Sequence, residues 1–446
     1  CHFYAMAVRL PALRALQRWG RPVPSLRPRL ALSARWMAQV PAPPGPLTPP
    51  RTEEEMRRFI AEYDRKIAAE EAQESTAWKT FNSNVGAWLG AVVAGGILWL
   101  FYCVDDVSST LSDVWAYFLR KLSEESQRHV LLQAAKWRVL PKDMDKDDPY
   151  LVMEPLDGLR FFTPVGLAPG LDPLGEGVPA FFDLGFGFVE VGPVVPGSHD
   201  SDTLLHHLST RDSSQQIAHF GLLGVSIGGT KEELLDQLRR LGPHVQYLAL
   251  DAGRVERAER AEPAELVASL RELIGESLAM PKMPRIFLRL PPSWPNASAS
   301  HEARRLAVGN IAEELRRVEA AGLIICHDDA AAESCSGTEE SRRMHRELVS
   351  EAFQRTKGDV VIIASGGMRH GRDALDAVEA GANAVQISSL LLAEGPRACR
   401  RIKDDLAQLL MQEGHKNLES VVGAAVHRQT GRIKPKKKRN PWKHKI

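Results

Sequence analysis

From residue 163 onward the chain repeats one pattern, a short apolar run followed by a segment with apolar residues at helical spacing. The runs are eight: 165–168, 186–192, 223–227, 247–250, 286–290, 323–326, 360–364 and 384–387. Amphipathic segments at 231–241, 263–274, 301–321 and 372–380 lie between them. Continuous apolar runs alternating with helices predict parallel strands buried on both faces. Eight of them in about 230 residues predict an α/β fold, a closed (β/α)8 TIM barrel, with chemistry on the loops that follow the strands. A doubly wound open sheet is the rival arrangement.

The pattern ahead of the barrel is different. Residues 80–104 form a stretch of 25 without a charge. As a helix it would be ~37 Å long, enough to cross a ~30 Å hydrocarbon layer. Trp88, Trp99 and Tyr102 lie towards its ends, as interfacial anchors do, and Gly86 and Gly90 would admit a partner helix. A single transmembrane helix is therefore expected, with a buried core helix as the alternative. Within 105–150, Leu111, Val114, Trp115, Phe118 and Leu122 recur at helical spacing and predict an amphipathic helix over 111–138. It would lie on a membrane surface or pack on the barrel.

Charge adds an address. The formal net charge is +1, yet residues 1–52 hold eight Arg and no acid, and residues 428–446 hold nine Lys or Arg and no acid. The stretch between them is acidic. An Arg-, Ala- and Leu-rich, acid-free start predicts a mitochondrial transit peptide over 1–40. A Pro-rich linker and charged helix follow over 41–79, and the barrel occupies 151–427 ahead of the basic tail at 428–446. The five cysteines are scattered without a C-x-x-C pair, so neither a disulfide framework nor a metal site is expected.

Two stretches carry a family resemblance. Thr163-Pro164-Val165-Gly166-Leu167-Ala168-Pro169-Gly170-Leu171-Asp172, followed by Gly185 to Gly192, resembles the opening of the dihydroorotate dehydrogenase barrel. Ile362 to Gly367, Gly371-Arg372-Asp373-Ala374, Gly381-Ala382, Val385-Gln386-Ile387 and Gly395-Pro396 resemble its closing half. With the uncharged span before the barrel, the likeness points to the membrane-bound, quinone-linked mitochondrial branch. It implies a flavin, FMN, held at a phosphate cradle, and a base that takes a substrate proton as hydride passes to the flavin. Candidate cradle residues are Ala168, Gly170, Gly366, Gly367, Ser388 and Ser389, at the ends of the first, seventh and eighth runs.

Several positions depart from the family pattern. Pro169 stands in the family's Ala-Ala-Gly and removes a backbone donor. Gly192-Pro193-Val194-Val195-Pro196 lacks the hydroxyls of Gly-Ser-Val-Thr-Pro, and Ser226-Ile227-Gly228-Gly229-Thr230 lacks the amides and lysine of Asn-Leu-Gly-Lys-Asn. At the fourth run Leu250-Asp251-Ala252-Gly253-Arg254 puts Arg254 at the position of the catalytic serine, where an always-protonated guanidinium cannot act as base. Arg289 replaces the flavin-facing lysine, and His327-Asp328 replaces an Asn-Thr pair. Asp251, Arg254, Arg289, His327 and Asp328 should converge at the barrel mouth, either as a new acid-base site or as charges filling a vacated cavity.

These losses lead to the expectation of a catalytically degenerate barrel with no catalytic residues and no cofactor. It would be anchored single-pass in the mitochondrial inner membrane as an accessory subunit of a larger assembly such as a respiratory complex. Its partners would be other inner-membrane subunits, with anionic lipid or an acidic partner at the tail and no nucleic acid. The alternative is an FMN-dependent, quinone-linked oxidoreductase of dihydroorotate dehydrogenase type with altered catalytic residues.

Overall fold

The computed structural model describes residues 112–431 apart from 146–147, 195–198, 214–220, 256–262, 297 and 328–336, with individual helical positions between Glu54 and Ala72. The chain divides into two compact units, Cys1–Ala91 and Val92–Ile446. In the first, Glu54 pairs with Arg58 at 3.3 Å and Glu62 with Lys66 at 3.7 Å, one helical turn apart. The expected transit peptide, the uncharged span 80–104 and the tail beyond Gly431 lie outside the described residues. Among the described residues no helix is long and apolar enough to cross a membrane.

The second unit holds the barrel. Its strands are β3 (Val165–Leu167), β4 (Phe188–Val191), β5 (Leu222–Gly229), β6 (Tyr247–Val255), β7 (Arg285–Leu290), β8 (Gly322–Cys326), β9 (Val361–Ser365) and β10 (Ala384–Ile387). They pair in parallel in the order β10-β3-β4-β5-β6-β7-β8-β9 and close on themselves. Closure rests on Val385, Gln386 and Ile387 facing Val165, Gly166 and Leu167, which rules out the open sheet. Each expected run is a strand because nearly every residue in it is buried. One strand outlasts its apolar run. After a register shift Val255 pairs with Gly229, so β6 continues through Asp251 and Arg254.

Three features depart from expectation. The helix expected over 111–138 is two helices, α1 (Ser112–Leu119) and α2 (Glu124–Lys136). Ser123 caps α2 by accepting from the Ser126 amide, and the Gln127 side chain donates to the carbonyls of Leu119 (2.9 Å) and Leu122 (3.0 Å), satisfying the broken end. The pair packs Leu119, Leu131 and Ala135 into the main core while Tyr117 and Phe118 stay exposed. A hairpin of β1 (Met153–Leu156) and β2 (Leu159–Phe161) precedes the barrel and has no counterpart in the apolar-run pattern. Its Leu159 and Phe161 join the barrel's inner cluster, with the Phe161 ring 5.1 Å from that of Phe188.

That inner cluster is a packed plug of Phe161, Phe188, Tyr247 and Phe287 with smaller residues. The rings fit because glycine faces them: a Cβ on Gly166 would lie 2.3 Å from Phe188, one on Gly224 2.1 Å from Tyr247, and one on Gly322 1.9 Å from Phe287. Side chains alternate along a strand, so the residues two positions on from these also point inward. Phe188 is followed by Glu190, Gly224 by Ser226, Ala249 by Asp251, Phe287 by Arg289, Ile324 by Cys326, Ile363 by Ser365 and Ala384 by Gln386. An apolar plug thus carries a polar layer at the carboxyl ends of the strands, where barrel chemistry resides.

Candidate active site

Arg289 organises the polar layer. Its Nε donates to Glu190 Oε1 (3.1 Å), and its Nη2 lies 2.8 Å from the same oxygen and donates to Gln386 Oε1 (2.9 Å). Its Nη1 reaches Cys326 Sγ at 3.1 Å. Gln386 Nε2 donates to Glu190 Oε2 at 2.7 Å, and the Tyr247 hydroxyl reaches that oxygen at 3.3 Å. Burial works against the Arg289 charge, but Glu190, the thiol and Asp251 outweigh it and hold the guanidinium protonated, its pKa above the ordinary arginine range. Burial pushes the Tyr247 hydroxyl and the Cys326 thiol up, and the thiol is partly relieved by Arg289. Apolar runs and family likeness do not single out Glu190, Gln386 or Cys326 as site residues, and the likeness marks Ser226 only as a lost asparagine. The signal that finds them is their inward register, two residues beyond the aromatic plug.

The five charged positions expected to meet do so in part. Asp251 and Arg289 interact electrostatically, and Arg254 Nε lies 3.5 Å from Asp251 Oδ2. Arg254 is half exposed, with its Cβ over Gly228 of β5. His327 goes elsewhere. Its ring lies where a Cβ on Gly337 (2.5 Å) or Gly367 (3.0 Å) would be, bonds Ser341 Oγ through Nε2 at 2.9 Å and stands edge-on to His345. Asp328 lies outside the described residues.

The six cradle candidates line the ends of neighbouring strands β3, β10 and β9 and the loops that follow. Ala168, Gly170 and Gly366 give their N–H groups to the carbonyls of Ile387 (3.1 Å), Gly192 (2.8 Å) and Gln386 (2.9 Å). Those three therefore shape the mouth rather than present donors to it. Gly366 and Gly367 have left-handed backbone, φ +83° and +74°. Ser388 and Ser389 open the short helix after β10 (Ser389–Glu394).

A flavin nucleotide fits this lining on two observations. The Ser226 hydroxyl is fully buried in the polar layer and has no hydrogen-bond partner among the described residues, so it suits a polar group supplied from outside the chain. Gly170, at φ +103°, has open space where a Cβ would be, so a planar group can approach the backbone there.

Asp172 holds the first loop. Its Oδ1 accepts from the Glu176 amide (3.0 Å) and Oδ2 from the Gly177 amide (2.8 Å). Burial pushes its pKa up to about 6 from 3.8, opposed by those amides. The folded state thus binds this proton more tightly than the unfolded chain, so stability falls as pH rises from about 4 through about 6. Asp172→Asn is expected to remove that slope, gaining up to about 3 kcal/mol on wild type between pH ~4 and ~7. Urea unfolding of both proteins at the two pH values measures it.

Comparison with known proteins bears on the whole barrel. The profile of the family described as Dihydroorotate dehydrogenase matches residues 198–410. The mouse dihydroorotate dehydrogenase (quinone), mitochondrial, is 27% identical over 354 residues, covering 68% of this chain and 87% of that protein. The Rhodospirillum rubrum dihydroorotate dehydrogenase (quinone) is also 27% identical, over 337 residues, covering 68% of this chain and 91% of the relative. The crystal structure of Eimeria tenella dihydroorotate dehydrogenase in complex with ferulenol superposes with a TM-score of 0.57 at 25% identity, covering 68% of this chain and 96% of that one.

These matches overturn the expectation of a catalytically degenerate accessory subunit of a respiratory complex. The relatives are dehydrogenases by name, and the matched region runs through the strands that bear the substituted residues. The dihydroorotate dehydrogenase family uses FMN, the cofactor that the alternative reading names. Divergence here means about 27% identity. On these matches, and on the closed barrel that carries them, the chain is similar to the dihydroorotate dehydrogenase family through residues 198–410.

Proposed function

We propose that this protein is an FMN-dependent, quinone-linked oxidoreductase that oxidises dihydroorotate or a close dihydropyrimidine relative, with an acid-base group different from the family's serine. The observation that carries the reading is the buried polar layer with its unpartnered Ser226 hydroxyl at the barrel mouth. FMN, when bound, supplies a two-electron acceptor that quinone can reoxidise. Gly170, Gly366 and Gly367 would leave room for it at the strand ends, Ser388 and Ser389 would hold it, and the Ser226 hydroxyl would meet its polar edge. Arg289 keeps a fixed positive charge beneath the site, already paired to Glu190, so its electrostatic effect needs no rearrangement. Arg254 cannot accept a proton and acts as a cation.

The same reading places the protein at the mitochondrial inner membrane, anchored through residues 80–104, where a lipid-soluble quinone is at hand. The basic tail would then rest on anionic headgroups. The test is the absorbance spectrum and the mass-spectrometric cofactor content of the natively purified full chain. Flavin at near-equal stoichiometry, bleached on adding dihydroorotate and restored by a soluble quinone, is the expected result. A protein that carries no flavin and takes none up from added FMN overturns the proposal.

A further inference from the structure

The family's proton-accepting position is filled here by Arg254, so the reaction proposed above lacks its base unless another residue supplies it. Among the described residues, the mouth of the barrel offers one carboxylate that points inward and is still reached by solvent. Asp251 stands two residues past Ala249 of the apolar plug and opposite Arg289 in the β6–β7 register. Its side chain is 14% exposed, against 0% for Glu190, which is sealed by Arg289, Gln386 and Tyr247. The Gly253 amide donates to Asp251 Oδ1 at 3.0 Å and fixes the carboxyl plane. Arg254 reaches Oδ2 from the mouth side at 3.5 Å.

We propose that Asp251 is the proton acceptor of this barrel and that Arg254, displaced from any role as base, binds the carboxylate of the substrate. The inference rests on the oxidoreductase reading. In the step, Asp251 takes the proton from a ring carbon next to a carbonyl. The electron pair of that C–H bond becomes the new ring double bond as hydride leaves the adjacent carbon for FMN. The dihydropyrimidine would lose two electrons and two hydrogens, one as the proton that Asp251 takes and passes to solvent and one as the hydride for which bound FMN would be the acceptor. The charged and titratable groups facing Asp251 are Arg289 on β7, Arg254 on its own strand, Glu190 on β4 and the Cys326 thiol on β8. Burial pushes the Asp251 carboxyl above the usual aspartate range, with Arg289 opposing, so the ionised base appears at higher pH than for a solvated aspartate.

The experiment uses the full chain and compares wild type with Asp251→Asn, Asp251→Glu and Arg254→Met. Three quantities are read: flavin content, orotate binding by calorimetry, and the pH profile of flavin reduction by dihydroorotate. Wild type is expected to show a rate that rises with pH and levels off. Asp251→Asn, which keeps the Oδ1 acceptor for Gly253, should lose that limb and ~10²–10⁴ of the rate, while still carrying flavin and binding orotate. Asp251→Glu should keep the limb at reduced rate. Arg254→Met should weaken orotate binding by ~10-fold, the loss of one charged contact. A flavin-loaded Asp251→Asn protein with wild-type rate and pH profile overturns this assignment alone. Wild type without flavin overturns the oxidoreductase reading and this inference together.

Discussion

Arg289→Met is expected to destabilise the barrel by about 3–5 kcal/mol, the effect of leaving one member of a buried ion pair without its partner. Glu190 is fully buried and receives two of the Arg289 nitrogens. In the variant only neutral donors, Gln386 Nε2 and the Tyr247 hydroxyl, remain to its charge. Desolvation of that carboxylate is then uncompensated. Adding Glu190→Gln to Arg289→Met should recover most of the loss, because a neutral amide restores hydrogen bonding without a buried charge. Urea unfolding of the two single variants and the double gives the coupling energy directly. If the double variant is as unstable as the sum of the singles, the pair is not the organising element of the layer. The flavin reading adds a second consequence: Arg289→Met and the double variant should both bind FMN more weakly than wild type, because the fixed positive charge is lost in both.

The strands are legible in the sequence because closing a parallel barrel buries both faces of every strand, which turns each into an uninterrupted apolar run. Residues 384–387 illustrate this, a run of four that is wholly buried and wholly strand. The β1–β2 hairpin is not legible in the same way, because its strands are short and their buried positions, Met153, Leu159 and Phe161, are divided between the main core and the barrel's inner cluster with partly or fully exposed residues between. The break between α1 and α2 is a matter of capping by Ser123 and Gln127, which apolar periodicity does not report. At the site, family likeness picks out Arg254 and Arg289 as substitutions but leaves their surroundings open. Strand register alone brings Glu190, some hundred residues away in sequence, onto the Arg289 guanidinium. His327 shows the opposite case. It sits just past the expected strand end, yet Cys326 takes the inward position there and the His327 ring fills the space that Gly337 and Gly367 leave, bonded to Ser341. A carboxylate next to an arginine at a strand end is also what a structural ion pair looks like in sequence, and only burial and direction separate Asp251 from Glu190.

The apolar plug beneath the polar layer predicts the second large effect. Phe287→Ala should destabilise the protein by about 3–5 kcal/mol, the range for emptying a buried aromatic position. The Phe287 ring is fully buried, tilted 52° against Tyr247 at 5.1 Å, and occupies the space that Gly322 leaves on β8. Gly322→Ala alone should also be harmful, by about 1–3 kcal/mol, because its methyl would have to lie 1.9 Å from that ring. Together the two changes compensate. With Phe287→Ala in place, the methyl added by Gly322→Ala enters the vacated volume, so the double variant should be more stable than the sum of the single losses by about 0.5–3 kcal/mol. Urea unfolding of the four proteins of the cycle measures this. Strict additivity would mean that ring and glycine do not share one space. The consequence reaches the site, because Arg289 follows Phe287 by two residues on the same strand and rests on the plug that the ring completes. A cavity at Phe287 should therefore loosen the Arg289–Glu190–Gln386 contacts and lower flavin content, and Gly322→Ala added to Phe287→Ala should restore part of both stability and flavin.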